Sequence, residues 1–196
     1  MSIFRRRPKL PSDRRPPLAS DERVLSWAFT GPEPGGPVAV ATNRGLWLPN
    51  VGPPHVGLPD VGSPGAGPPA AARLGWHEIH KAAWSGRELR ITPAEVAEVR
   101  DDYAVLVDAP TVSFLLLEPN ELPEQVRARV TKSVAYTSHH PLPVGGVRVV
   151  GRRVSGVDGL SWAVRYDSGT PVDAEQVVKV TNELVQAAQA TTAPPA

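Results

Sequence analysis

Short apolar segments follow one another through most of the chain, and each is bounded by glycine, proline, asparagine or serine. Leu25, Trp27 and Phe29 alternate with small residues, which is the period of a strand, although a helix through Val24, Leu25 and Ala28 also fits. Residues 38–41 and 46–48 flank Asn43-Arg44-Gly45, a sequence typical of a hairpin loop with Gly45 in the left-handed conformation. This pattern predicts a protein built mainly from short antiparallel strands.

Further strands and two helices are predicted downstream. A helix is favoured where Leu122, Val126, Val130 and Val134 recur every four residues after Asn120, which can cap it. A helical turn is expected at 93–98, and a second amphipathic helix after a capping box at Asp173. The remaining strands are expected at 73–84, 88–91, 103–107, 112–117, 147–154 and 160–166, with a loop at 139–143.

A weak five-residue repeat occupies the region between Pro49 and Ala72. Gly stands at the second place and Pro at the fourth in each copy, beginning with Val51-Gly-Pro-Pro-His55. Such a stretch cannot build a strand ladder, so we expect residues 49–72 to form a flexible loop between two neighbouring strands.

Composition excludes several classes of protein. The chain has no cysteine, which removes disulfides and thiolate chemistry, and no apolar run approaches the ~20 residues of a membrane span. Arg5, Arg6 and Arg7 are followed by no apolar stretch, so we expect no signal peptide and a cytoplasmic protein. Arginine outnumbers lysine 17 to 4, a bias typical of GC-rich bacteria such as actinobacteria.

The order of about seven short strands followed by one amphipathic helix resembles the pleckstrin-homology-like fold. Residues 38–47 and 76–79 are similar to strands of bacterial members of that family. Over residues 20–136 the resemblance implies an α+β fold, in which an antiparallel β-sandwich or barrel is closed by a C-terminal helix. Residues 143–190 then form an appendage of a β-hairpin and a helix, and residues 1–19 and 191–196 are expected to be disordered.

Lipid-binding members of that family use basic residues in the loop joining the first two strands. Here that loop, residues 31–36, contains Glu33 and no base. The resemblance therefore implies a protein-interaction module rather than a binder of phosphoinositide headgroups.

No motif indicates a catalytic, metal or cofactor site. His77-Glu78-Ile79-His80 resembles a zinc-protease signature, but the two histidines are three residues apart rather than four. His139-His140 lacks an evident third ligand, and no nucleophile elbow is present. A catalytic triad assembled from distant positions remains open. An enzyme would require a pocket that gathers His77 or His80 with a carboxylate.

Three groups of residues are candidates for recognition. Trp76 and Trp84 are eight residues apart, so on a continuous strand they share a face and can anchor a protein partner. Ser155 follows two arginines and resembles a phosphorylation site. The N-terminal bases can contact nucleic acid or another anionic surface weakly; they are Arg5, Arg6, Arg7, Lys9, Arg14 and Arg15.

These observations favour a non-enzymatic protein-interaction or scaffold module whose partner is unknown. One alternative is an accessory factor of nucleic acid or the ribosome that uses the basic tail. The other alternative is a small enzyme with a distributed site.

Overall fold

The protein has a mixed α+β fold with curled sheets and a C-terminal helix. The structure is a computed structural model that describes residues 9–33, 35–49 and 72–192. Within those ranges the strands are β1 (Val24–Phe29), β2 (Val38–Thr42), β3 (Gly45–Leu48), β4 (Ala72–Gly75), β5 (Ile79–Trp84), β6 (Glu88–Arg100), β7 (Tyr103–Asp108), β8 (Val112–Leu115), β9 (Val134–Pro141), β10 (Gly146–Arg152) and β11 (Ser161–Tyr166). The helices are α1 (Leu122–Ser133) and α2 (Glu175–Thr192), and 3₁₀ turns occupy Ser12–Arg14 and Trp76–Glu78.

The first sheet is antiparallel in the order β1-β2-β3-β4, and it contains the predicted hairpin. The explanation of Gly45 was wrong, since its φ is not positive and it lies within β3. A Cβ at this position would overlap the carbonyl oxygen of Leu74 on β4. Glycine is therefore needed here for close approach of two strands rather than for a left-handed turn.

The Gly/Pro-rich repeat connects two strands that pair directly. β3 and β4 are antiparallel neighbours, and Leu48 lies opposite Ala72. This confirms the expectation that the repeat joins neighbouring strands. Residues 50–71, and with them almost all of the repeat, lie outside the described residues.

The second sheet has the order β5-β6-β7-β11-β10-β9, and β8 also pairs with β6. The long strand β6 organises it, because residues 88–93 pair with β5 and β8 whereas residues 94–100 pair with β7. The helical turn predicted at 93–98 was therefore wrong. The strand accommodates its irregular sequence with a register shift between Val96 and Glu98 instead of changing to a helix.

The C-terminal segment completes this sheet. β11 pairs with β7 in parallel, and β9 adds a third strand to the predicted hairpin of β10 and β11. The loop predicted at 139–143 was wrong for its first three residues, because β9 extends to Pro141; residues 142 and 143 do lie outside the strands. Side chains of β9 alternate between half-buried and exposed. The half-buried positions are not consistently apolar, so the sequence shows no clear alternation of apolar and polar residues. α2 ends at Thr192, two residues into the end segment that was expected to be disordered.

Three apolar clusters stabilise the fold. One joins the first sheet, β5, β6 and α1, and a second joins the second sheet and α2. The third lies around Trp27, Val40 and Trp47, and Leu10 and Leu18 pack against it. The described part of the N-terminal segment thus differs from the disordered tail expected over residues 1–19, because its leucines have a sheet surface to cover. Residues 1–8 lie outside the described residues.

Candidate functional site

The part of the second sheet formed by β6, β7, β11, β10 and β9 has two different faces. One face supplies buried residues such as Val105, Val149 and Val164 to the cluster that contains Val185 and Ala188 of α2. Successive side chains of a strand point to opposite faces, so the residues between these belong to the other side. We call that side the open face; it includes Val96, Val99, Ala104, Leu106, Asp108, Thr137, His139, Arg148, Val150, Ala163 and Arg165.

The β6–β7 side of the open face is apolar and exposed. Val96 lies opposite Leu106, and Val99 lies opposite Ala104. Val99 is 78% exposed and Val96 is 41% exposed, whereas Val150 and Ala163 farther across the face are buried. Branched apolar side chains on a strand face usually pack against another layer, so this pair marks a surface suited to a partner.

The β9–β11 side of the open face is basic. Arg148 lies directly opposite Arg165 on one side and His139 on the other. Like charges directly opposite each other on a sheet repel. Arg165 donates to Asp108 at 2.7 Å, and His139 contacts Asp167 at 2.8 Å. Arg148 is exposed and forms no ion pair with any residue that the structure describes.

His80 reaches this side of the sheet from β5. Its Nδ1 lies 2.7 Å from Oδ1 of Asp108, the same oxygen that accepts from Arg165. Burial lowers the pKa of His80 more than the hydrogen bond to Asp108 raises it, and the charge of Arg165 lowers it further. We therefore assign a neutral ring whose Nδ1–H donates to an ionised Asp108.

The Asp108 carboxylate stays ionised despite its own partial burial. Burial tends to raise the pKa of Asp108, but the hydrogen bond from His80 and the charge of Arg165 lower it below the ordinary value. The structure thus gathers His80 with a carboxylate, which is the arrangement that the enzyme hypothesis required. The His80 side chain is only 2% exposed, however, so the ring is enclosed by protein.

Arg152 joins β10 to the 3₁₀ turn before β5. One guanidinium nitrogen donates to the carbonyl of Ile79 at 3.0 Å and to Oγ of Ser133 at 3.3 Å. Burial lowers its pKa, and so does the nearby charge of Arg165. Its role is to hold the second sheet against the end of α1. Arg152 is half-buried because this strand end packs against the first half of the chain.

Of the two tryptophans proposed as partner anchors, only Trp84 is exposed. Trp76 is 4% exposed and donates its indole N–H to the carbonyl of Thr42, so it is a core residue. Trp84 is 36% exposed at the end of β5. The 3₁₀ turn of residues 76–78 breaks the continuous strand on which the prediction depended.

The other predicted recognition residues lie apart from the open face. Ser155 is exposed in the turn after β10, and its hydroxyl donates to the carbonyl of Asn43 at 3.3 Å, so its phosphorylation stays a prediction. Lys9, Arg14 and Arg15 are exposed, and Arg14 pairs with Asp13 at 3.2 Å. Arg5, Arg6 and Arg7 lie outside the described residues.

Two polar networks, one buried and one partly buried, were not anticipated from the sequence. The Glu22 carboxylate accepts hydrogen bonds from Thr42, Trp47, Arg73 and the backbone of Ala19. No local pattern distinguishes Glu22 from its exposed neighbour Asp21, because its donors come from distant strands.

The second network surrounds Arg100 at the end of β6. Its guanidinium donates to Glu98 through two nitrogens and to the hydroxyls of Tyr103 and Tyr166 through the third. Tyr103 in turn donates to Asn182 of α2 at 2.7 Å. Beside this network a cleft of about 450 Å³ separates the β6–β7 turn from α2.

Across the described ranges, no three His, Asp or Glu side chains are grouped so that they could hold a metal ion. Neither helix of the described chain has the length and apolar character needed to cross a membrane. Comparisons of the chain with protein-family models, with curated proteins and with solved structures found no match.

Proposed function

We propose that this protein is a non-enzymatic protein-interaction module that binds its partner on the open face of the second sheet. The observation that carries the proposal is the exposure of Val96 and Val99 on one face of a sheet whose other face packs under α2 at β7, β10 and β11. A sheet that buries one face and exposes branched apolar residues on the other gains stability when a partner covers the second face.

The proposed scaffold is a pleckstrin-homology-like sandwich with an α+β extension. In support, α1 follows β8 and packs against β1, β2 and β5. The first sheet together with β5, the first half of β6 and β8 supplies seven strands to this arrangement. In this interpretation the hairpin formed by the second half of β6 and β7 is an addition to the family's fold, and the C-terminal extension pairs with it through β11.

The surroundings of His80 also support a non-enzymatic role. A general base must reach the proton that it abstracts. The His80 ring is enclosed, and Asp108 already accepts from both His80 and Arg165. These three side chains satisfy one another, so they stabilise the junction of β5, β7 and β11.

The test compares proteins captured from the native cell by the full chain and by a Val99→Glu variant. Charge at position 99 should abolish capture of the specific partner, since a carboxylate would have to be buried in the interface. Leu117→Glu is the matched control, because Leu117 is 51% exposed but lies between β8 and α1. The control should capture the partner normally.

The proposal fails if Val99→Glu retains every partner of the wild-type chain, or if both variants lose the same partners. Circular dichroism and thermal melts of the two variants must match those of the wild type. A variant that melts early is replaced by Val99→Ser, which removes the apolar contact without adding a charge.

A further inference from the structure

We infer that the partner presents an acidic side chain beside apolar ones, and that its carboxylate binds between Arg148 and Arg165. This inference rests on the proposed function and gives the chemistry of the partner. It follows from the composition of the open face, which is apolar at β6 and β7 and basic at β10 and β11.

The paired arginines provide the first reason. Arg148 and Arg165 are directly opposite each other, and Asp108 neutralises only Arg165. Arg148 is exposed and has no acidic partner among the residues described. A carboxylate placed between the two guanidinium groups would relieve their repulsion and accept charge-assisted hydrogen bonds.

The distance between the two halves of the face provides the second reason. Val96 on β6 and Arg148 on β10 are separated by three strand spacings, because the order is β6-β7-β11-β10. At about 4.8 Å per spacing this is about 14 Å, which an extended segment crosses in roughly four residues. We therefore expect an acidic residue about four positions from the apolar anchors if the segment is extended, and about nine positions if it is helical.

The experiment selects random phage-displayed peptides on the immobilised full chain, with Arg148→Glu as counter-target and Arg127→Glu as matched control. Arg127 is exposed on α1, away from the open face. We expect enriched peptides with aspartate or glutamate at the stated spacing from aliphatic residues. A synthetic peptide of that sequence should bind Arg148→Glu about tenfold or more weakly in fluorescence anisotropy, and Arg127→Glu as tightly as wild type.

Several results would overturn the inference. They are enrichment of neutral or basic peptides, no enrichment over Arg148→Glu, and binding of duplex DNA or anionic vesicles that depends on Arg148 while peptides are ignored. Capture of the cellular partner by the Val99→Glu and Arg148→Glu variants distinguishes a failure of this inference from a failure of the proposed function. If Val99→Glu loses that partner and Arg148→Glu keeps it, the interaction module stands and the acidic specificity is wrong; if both keep it, both proposals fail.

Discussion

Glu22 is buried, and its carboxylate satisfies donors from three separate strands and from the segment before β1. Trp47 donates its indole N–H at 2.9 Å, and the hydroxyl of Thr42 donates at 2.6 Å. Arg73 adds an ion pair at 3.0 Å and lies over the Trp47 ring. The residue therefore holds β2, β3 and β4 in register around a single acceptor.

Replacing Glu22 with Gln should lower the free energy of unfolding by about 2–3 kcal/mol, because the amide cannot accept from all of these donors and leaves the charge of Arg73 unpaired. Urea denaturation at neutral pH measures the effect. Asp21→Asn is the matched control, since Asp21 is exposed and pairs with Arg44 on the surface. The control should cost less than about 1 kcal/mol. An equal decrease in the free energy of unfolding of the two variants would show that the buried hydrogen bonds of Glu22 contribute no more than a surface ion pair.

The stabilisation by Glu22 should also depend on pH. Burial tends to raise its pKa and is the largest effect, but hydrogen bonds from Thr42, Trp47 and Ala19 together with the charge of Arg73 lower the pKa below the ordinary value. The contribution is therefore complete above the unfolded pKa of about 4.3 and is lost as pH falls through the lower folded value. Urea denaturation of wild type and Glu22→Gln should show a difference that narrows below about pH 4. A difference that grows in acid would contradict this assignment.

At the scale of the elements, Arg100 joins the β6–β7 turn to α2. All three of its guanidinium nitrogens donate, to Glu98, to two tyrosine hydroxyls and to the carbonyl of Val172. The Glu98 carboxylate raises the pKa of Arg100, so the arginine stays charged. Without it the hydroxyls of Tyr103 and Tyr166 would lose a common donor.

Arg100→Met should therefore destabilise the protein by about 1–3 kcal/mol and increase amide exchange in α2. Arg90→Met is its matched control, because Arg90 makes the same contact with the glutamate two residues before it but is exposed. The control should change stability by less than about 1 kcal/mol. Unchanged hydrogen exchange in α2 of Arg100→Met would exclude this role.

The sequence predicts elements well where local pattern and tertiary pairing agree. The hairpin of β2 and β3 and the apolar spacing of α1 and α2 follow from the sequence. The predicted caps were wrong, because Glu121 rather than Asn120 stands at the cap position of α1, and α2 begins at Glu175, two residues after Asp173. It fails for the second half of β6 and for β9, whose strand character comes from neighbours far along the chain. Propensity is a weak guide where pairing partners decide the conformation.

The candidate site shows the same limit. Exposure of Val99 and the position of Arg148 opposite Arg165 depend on strand register, which no local pattern contains. Trp76 and Trp84 were expected to share a face because a continuous strand was assumed, and the 3₁₀ turn between β4 and β5 removes that assumption.

At the scale of the whole molecule, the two halves share one strand. β6 pairs with β5 and β8 through its first half and with β7 through its second half, so separation of the halves would break a continuous backbone ladder. Arg152 adds a second connection, since it donates to carbonyl groups that precede and begin β5. We expect the described regions to unfold in one cooperative transition.

Deletion of residues 51–70 should leave this cooperative fold intact. β3 and β4 pair up to Leu48 and Ala72, and a loop of Pro49, Asn50 and Ala71 would suffice to join them. Shortening the loop lowers the entropy cost of its closure, and this stabilises the protein by at most about 2 kcal/mol. Thermal melting by circular dichroism checks the result. A broad or absent transition in the deletion variant would mean that the repeat takes part in the fold.

The most direct test of the open face as an interface is photo-crosslinking in the native cell. A benzoylphenylalanine replaces Val99 in one variant and Leu117 in another, and both positions are exposed. We expect irradiation to join a second protein to the chain from position 99 and not from position 117. No adduct from position 99, or the same adducts from both positions, would contradict an interface on this face.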